Sequence, residues 1–126
     1  MSTQKQNNIY IIEDDQDFSS CISRYISKSV STARIFSFSN VIDAIQSIDE
    51  YFPDLIFLDV LLTGPDGFTL LNELASYPDT ARIPIVIISS IDFKGQDLSS
   101  YGVVATLNKD NLTPQEVIKY AKQYSH

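Results

Sequence analysis

The chain has 126 residues, 44% of them apolar, which is enough for one domain with a core of its own. Sixteen acidic against nine basic side chains give a formal charge of −7, and this excludes a nucleic-acid surface built from clustered Lys and Arg. The lone Cys21 excludes an internal disulfide, no apolar run has the length of a membrane span, and no charged-then-apolar leader is present, so the expected location is cytoplasmic.

Residues 1–8 are polar and read as a disordered N-terminal segment, with the folded domain expected over 9–126. Ile9-Tyr10-Ile11-Ile12 is a short apolar run that ends in Glu13-Asp14-Asp15. Phe18, Cys21, Ile22, Tyr25 and Ile26 then recur at helical spacing. Ala33 to Phe38 reads as a strand nearer the sheet edge, because polar residues interrupt it. Val41, Ile45, Ile48 and Phe52 form a second helical stripe, stopped by Pro53. Asp54-Leu55-Ile56-Phe57-Leu58-Asp59 is a buried strand with an acid at its tip. Gly64-Pro65-Asp66-Gly67 is turn chemistry, and Phe68, Leu71, Leu74 and Ala75 continue as a short helix. Ile83-Pro84 opens a strand, Ile85-Val86-Ile87-Ile88, that ends in Ser89-Ser90. From Asp92 to Gly102 the helical pattern is diluted by Gly95 and Ser99-Ser100, so a fourth helix there should be short or irregular. Val103 to Asn108 ends in Lys109. Thr113-Pro114-Gln115-Glu116 starts a last helix, with Thr113 as N-cap, Pro114 at the first position and Glu116 closing a capping box. Val117, Tyr120, Ala121 and Tyr124 form its stripe.

Strands alternating with helices predict an α/β fold: a doubly wound, five-stranded parallel sheet with right-handed crossovers and helices on both faces. Such sheets bind ligands outside the carboxyl ends of their strands. That edge would receive Glu13, Asp14, Asp59, Ser89 and Lys109, a set able to hold a hard cation and a phosphoryl group. Converging carboxylates repel one another and raise each other's pKa, and a divalent cation removes the conflict. Magnesium suits such a site because it takes a few carboxylates, phosphate oxygens and water. Each residue alone has an ordinary reading: a strand-end acid, a turn serine, a surface lysine, or acids favoured by a helix dipole, which is the reading kept for Asp15.

Taken together, these segments resemble a response-regulator receiver domain, the phosphoacceptor module of two-component signalling. The resemblance rests on Ile11-Ile12-Glu13-Asp14-Asp15, on Pro53 to Val60, on Gly64-Pro65-Asp66-Gly67-Phe68, on Pro84 to Ser89 and on Asn108-Lys109, in order and at compatible spacings. It implies a flavodoxin-like fold with strand order 2-1-3-4-5. It implies that Asp59 accepts a phosphoryl group from a phosphohistidine, with magnesium bound by Asp14 directly, by Glu13 through water, by Asp59 and by the Leu61 carbonyl. Lys109 would neutralise the phosphoryl oxygens, and Ser89 would be the switch hydroxyl. The implied partners are a sensor histidine kinase or a histidine phosphotransfer protein, and a downstream protein not identifiable from sequence, with no nucleic acid and no membrane. The chain would be a regulator that promotes only its own phosphoryl transfer, not an enzyme. With no effector domain after the last helix, it would act as a stand-alone regulator or relay intermediate.

The pattern departs from the family at Thr106, where an aromatic residue is usual, and at Asp110, where proline often follows the lysine and where an acid could draw Lys109 away. Thr63 replaces the usual proline after the acceptor segment. Leu61 and Ile91 stand where polar side chains would orient a hydrolytic water, so a long-lived phosphoryl group is expected. Two alternatives stay open. One is a binding module in which phosphorylation is vestigial. The other is a small flavodoxin-like phosphatase, which would need a general acid where Leu61 stands.

Overall fold

The computed structural model describes residues 7–62, 66–93 and 96–125. Five strands, β1 (Asn7–Ile12), β2 (Ala33–Phe38), β3 (Leu55–Leu58), β4 (Ile85–Ser89) and β5 (Val103–Asn108), form one sheet. All pairings are parallel, in the order β2-β1-β3-β4-β5. Among the described residues four α-helices connect or follow them: α1 (Gln16–Ser29), α2 (Val41–Ser47), α3 (Gly67–Ala75) and α4 (Pro114–Gln123).

The continuous apolar runs become the central strands because both of their faces are covered. Every residue of β3 and β4 is buried. Alternate residues point to opposite layers. Tyr10, Ile12, Ile56, Leu58, Ile85 and Ile87 pack with Val41 and Ala44 of α2 and with Leu70, Leu71 and Leu74 of α3. Ile9, Ile11, Leu55, Phe57, Val86 and Ile88 pack with Ile22 and Ile26 of α1 and with Val117 and Ala121 of α4. The interrupted β2 lies at the sheet edge, as its composition predicts.

Each helix begins on a side-chain cap. Asp15 accepts from the Phe18 N–H at 3.1 Å, Asn40 from Asp43 at 2.8 Å and Asp66 from Thr69 at 3.2 Å. Thr113 and Glu116 form the expected capping box. Each cap contributes about 1 kcal/mol and fixes where the helix starts relative to the strand before it.

Four details differ from the sequence expectations. First, β1 starts at Asn7, so Asn7 and Asn8 belong to the sheet rather than to a disordered leader. The Asn7 side chain donates to Thr32 Oγ1 at 2.6 Å, the Asn8 backbone N–H donates to Asp54 Oδ2 at 2.9 Å and the Asn8 side-chain amide to the Phe52 carbonyl at 3.0 Å, while the buried Asn8 Oδ1 has no hydrogen-bond partner among the described residues. Residues 1–6 lie outside the described residues. Second, α2 ends at Ser47, with Ile48 as its C-cap, so Phe52 lies beyond the helix. Third, no α-helix joins β4 to β5 among the described residues. The connection carries a single 3₁₀ turn, Ser99–Tyr101, closed by Gly102 at φ 81°, where a Cβ would stand 2.8 Å from the Ile83 carbonyl oxygen. Gly95 lies outside the described residues. Fourth, of the expected turn Gly64-Pro65-Asp66-Gly67, Asp66 caps α3 and Gly67 opens it, while Gly64 and Pro65, like Thr63 before them, lie outside the described residues.

Candidate functional site

The site is built where β1 and β3 end side by side. The Glu13 N–H donates to the Phe38 carbonyl at 2.9 Å and the Asp59 N–H to the Ile12 carbonyl at 3.0 Å, so pairing runs one residue past each strand. Those two bonds set the Glu13 and Asp59 carboxylates at the same level. Both are buried, Glu13 to 3% exposure and Asp59 to 8%. Asp14 is exposed, yet one oxygen from each of Glu13, Asp14 and Asp59 lies within 4.8 Å of the other two. Among the described residues this is the one group of three potential metal-ligating side chains so placed.

Lys109 arrives from β5 and spans β4 to reach the acids. Its ammonium donates to Glu13 Oε1 and, at 3.4 Å, to Asp59 Oδ2. Asp110 does not hold it: that residue is exposed, and its own N–H is taken by Asn108 Oδ1 at 2.8 Å. The Leu61 N–H donates to Asp59 Oδ1 at 3.0 Å, so both Asp59 oxygens have a partner. Ser89 ends β4, beside β3 at the same edge, and is 1% exposed. Its Oγ accepts from the Ile91 N–H at 3.2 Å, an arrangement that leaves the hydroxyl proton available. Ser90 is exposed. Asp15 is the cap of α1, the ordinary role its sequence position suggests.

The electrostatics describe a site short of positive charge. Burial pushes the Glu13 carboxyl up to about 7, and the neighbouring Asp59 charge adds to the rise, although the Lys109 hydrogen bond opposes it. For Lys109, burial disfavours the ammonium, but the hydrogen bond and charge of Glu13, followed by Asp59, outweigh it and raise the pKa. Lys109 therefore stays charged while one lysine faces three carboxyl groups. A divalent cation fits this donor set: hard oxygen ligands, closely spaced, with an excess of acid over base.

The sequence did not reveal two contacts. It placed Glu13 near a metal, not in a hydrogen bond with Lys109. It also read Phe18 as a member of a helical stripe, and the ring does pack against that core layer, but the Lys109 ammonium sits 4.6 Å from its centroid as well. The usable signal was position: Phe18 lies in the first turn after the acidic run. A larger cavity, of about 770 Å³, opens at the opposite edge of the sheet against Phe52, Pro53, Val103 and Val104, and it has no comparable cluster of acids.

A parallel sheet in this order, with acids and a lysine gathered at its carboxyl edge, defines a flavodoxin-like domain of the phosphoacceptor type. The family model of the response regulator receiver domain matches residues 9–122, and the chain belongs to that family. The response regulator PleD of Caulobacter vibrioides is 37% identical over 67 residues, which are 51% of this chain and 15% of PleD. The transcriptional regulatory protein RstA of Escherichia coli is 31% identical over 86 residues, 68% of this chain and 34% of RstA. The chain thus matches well under two thirds of the length of these relatives. Among solved structures, the signal receiver domain of a DNA-binding response regulator from Colwellia psychrerythraea superposes with a TM-score of 0.83 at 26% identity, covering 94% of this chain and 97% of that one. The fold of a response regulator from Chloroflexus aurantiacus is similar as well, with a TM-score of 0.81 at 24% identity over 95% and 98% of the two chains.

Proposed function

We propose that Asp59 is the phosphoacceptor of this receiver domain, working with magnesium held by Glu13, Asp14, Asp59 and the Leu61 carbonyl. The observation that carries the reading is the contact of Asp59 with the Lys109 ammonium inside a three-carboxylate cluster. In the reaction an Asp59 oxygen attacks the phosphorus of a phosphohistidine. A P–O bond forms, the P–N bond breaks, and its electron pair leaves with the imidazole, which takes up a proton. Bound magnesium supplies neutralisation of the carboxylates and of the phosphoryl oxygens. Phosphoryl transfer demands chiefly positioning and charge stabilisation, and this chain's own residues provide both. The Leu61 N–H orients the acceptor carboxylate, and Lys109 carries a compact charge to the phosphoryl group. Ser89 donates its hydroxyl to the new phosphoryl group and draws the following loop inward, biasing a two-state element.

The domain, which includes Asn7 and Asn8 at the start of β1, takes its phosphoryl group from a sensor histidine kinase or a histidine phosphotransfer protein and signals through protein contact. The acidic surface supports a protein partner rather than nucleic acid. Acetyl phosphate with magnesium should add one phosphoryl mass to the protein. Asp59→Asn should abolish the addition, and chelation of the metal or Asp14→Ala should strongly reduce it. Labelling of Asp59→Asn at the wild-type rate would overturn the assignment.

A further inference from the structure

We propose that Phe18 is a positioning residue for Lys109, and that it acts through its π face rather than as apolar filler. The inference rests on the phosphoacceptor reading above. An ammonium has three N–H donors. Two of those on Lys109 are directed at Glu13 and Asp59, and the Phe18 ring covers a further side at 4.6 Å from its centroid. A cation within about 6 Å of a ring face is attracted to it, more strongly when it is desolvated, and the Lys109 side chain is only 20% exposed. The ring is itself fixed in place. Phe18 lies in the first turn of α1, its N–H donates to the Asp15 cap at 3.1 Å, and its side chain packs against the layer of Ile11, Ile22 and Phe57.

The chemistry gives this contact a purpose. Lys109 must exchange carboxylate partners for phosphoryl oxygens during the reaction, and its four-carbon stem is flexible. A carboxylate in place of Phe18 would hold the amine but take up its donors. A ring attracts the charge without consuming a directed N–H, so Lys109 stays above Asp59 while its hydrogen bonds change partner. Without the ring, the exposed carboxylate of the adjacent Asp110 becomes a competitor for the amine.

Phe18→Leu keeps an apolar side chain and removes the π face, whereas Phe18→Tyr keeps both. In the free protein, without metal or phosphoryl donor, ring current should move the Lys109 Hε resonances upfield in wild type and in Phe18→Tyr, and the shift should vanish in Phe18→Leu. Phosphoryl uptake from acetyl phosphate with magnesium should slow by about three- to tenfold in Phe18→Leu and stay near the wild-type rate in Phe18→Tyr. In a Lys109→Ala background, Phe18→Leu should cause no further loss. If Lys109→Ala slows uptake but Phe18→Leu does not, or if Phe18→Leu costs as much without Lys109 as with it, the inference alone falls. If Lys109→Ala labels at the wild-type rate, the reading of the site falls and this inference falls with it. Should Phe18→Leu fail to fold, the wild-type spectrum decides, because Lys109 Hε resonances at ordinary positions overturn the contact.

Discussion

Leu61 and Ile91 bring their backbones into the site and leave their side chains at its mouth. The Leu61 N–H binds Asp59 and the Ile91 N–H binds Ser89, while the side chains are 53% and 40% exposed. Hydrolysis of an aspartyl phosphate needs a water in line with the leaving carboxylate, and neither side chain can hydrogen-bond such a water. The phosphoryl group should therefore persist. Leu61→Asn combined with Ile91→Glu should shorten its lifetime by about tenfold, a barrier change of ~1.4 kcal/mol. Timing phosphate release after removal of the donor checks this, and equal lifetimes would contradict it. Tyr10 poses a different problem for a single residue, since a fully buried side chain carries a hydroxyl. It donates to the Tyr51 carbonyl at 2.5 Å, and burial pushes the phenol up to about 12 from 10.0. Because the folded pKa is the higher one, the neutral phenol contributes its full stability below pH 10.0, and that contribution is lost as pH rises toward about 12. Urea melts should show Tyr10→Phe less stable by about 1 kcal/mol at neutral pH, with a shallower loss of stability across that alkaline window than wild type. An unchanged alkaline slope in the variant would count against this account.

At the scale of elements, the start of α3 is pressed against the backbone that follows β3. A Cβ on Gly67 would stand 2.5 Å from Val60 Cα and 3.1 Å from the Asp59 carbonyl oxygen. Gly67→Ala should destabilise the domain by about 1–3 kcal/mol, because backbone must move to admit the methyl group. Since the displaced backbone belongs to Asp59 and Val60, uptake of phosphate should slow more than the lost stability explains. Gly102→Ala is the control: it strains a positive φ at the opposite edge of the sheet, so it should lower the melting temperature and leave the labelling rate of the folded protein unchanged. The same pair shows what was legible in the sequence. Apolar runs read directly as central strands, because burial on both faces leaves no room for polar residues. The cap at Thr113 read directly, because it is local, whereas Asp15 read only as an acid favoured by the helix dipole and is the N-cap of α1. Gly67 read as turn chemistry, but it is needed for close approach to the backbone of Asp59 and Val60, seven to eight residues earlier, and no local pattern encodes that. Asn7 and Asn8 looked like leader because their hydrogen-bond partners, Thr32 and Asp54, are remote in sequence. The contact of Lys109 with Glu13 and Phe18 escaped for the same reason, since it joins β5 to the start of α1 across the sheet.

For the whole molecule, the question is how far a change at Asp59 travels. The two apolar layers tie the sheet to all four helices, and α4 is held by buried Val117 and Ala121 and by its capping box. A close-packed layer of this kind passes on a displacement only where a side chain can change places. On β5 the position that pairs with Ile87 is Thr106, exposed and small, so nothing large is available there to follow Ser89 inward. The link between β4 and β5 is different. Among the described residues it has one 3₁₀ turn and no α-helix, and Phe93, Leu98 and Tyr101 are its apolar anchors. A segment with few anchors opens at lower free energy than the core. Activation should therefore be absorbed mainly after Ser89, and β5 and α4 should respond weakly. Beryllofluoride with magnesium, as a phosphoryl mimic, should shift amide resonances and alter hydrogen exchange most strongly in that segment and around Asp59. Shifts at Thr106 and along Val117 to Tyr124 should be smaller. Changes of equal size centred on Thr106 and α4 would show that the signal crosses β5 without an aromatic relay, and would refute the confinement argued here.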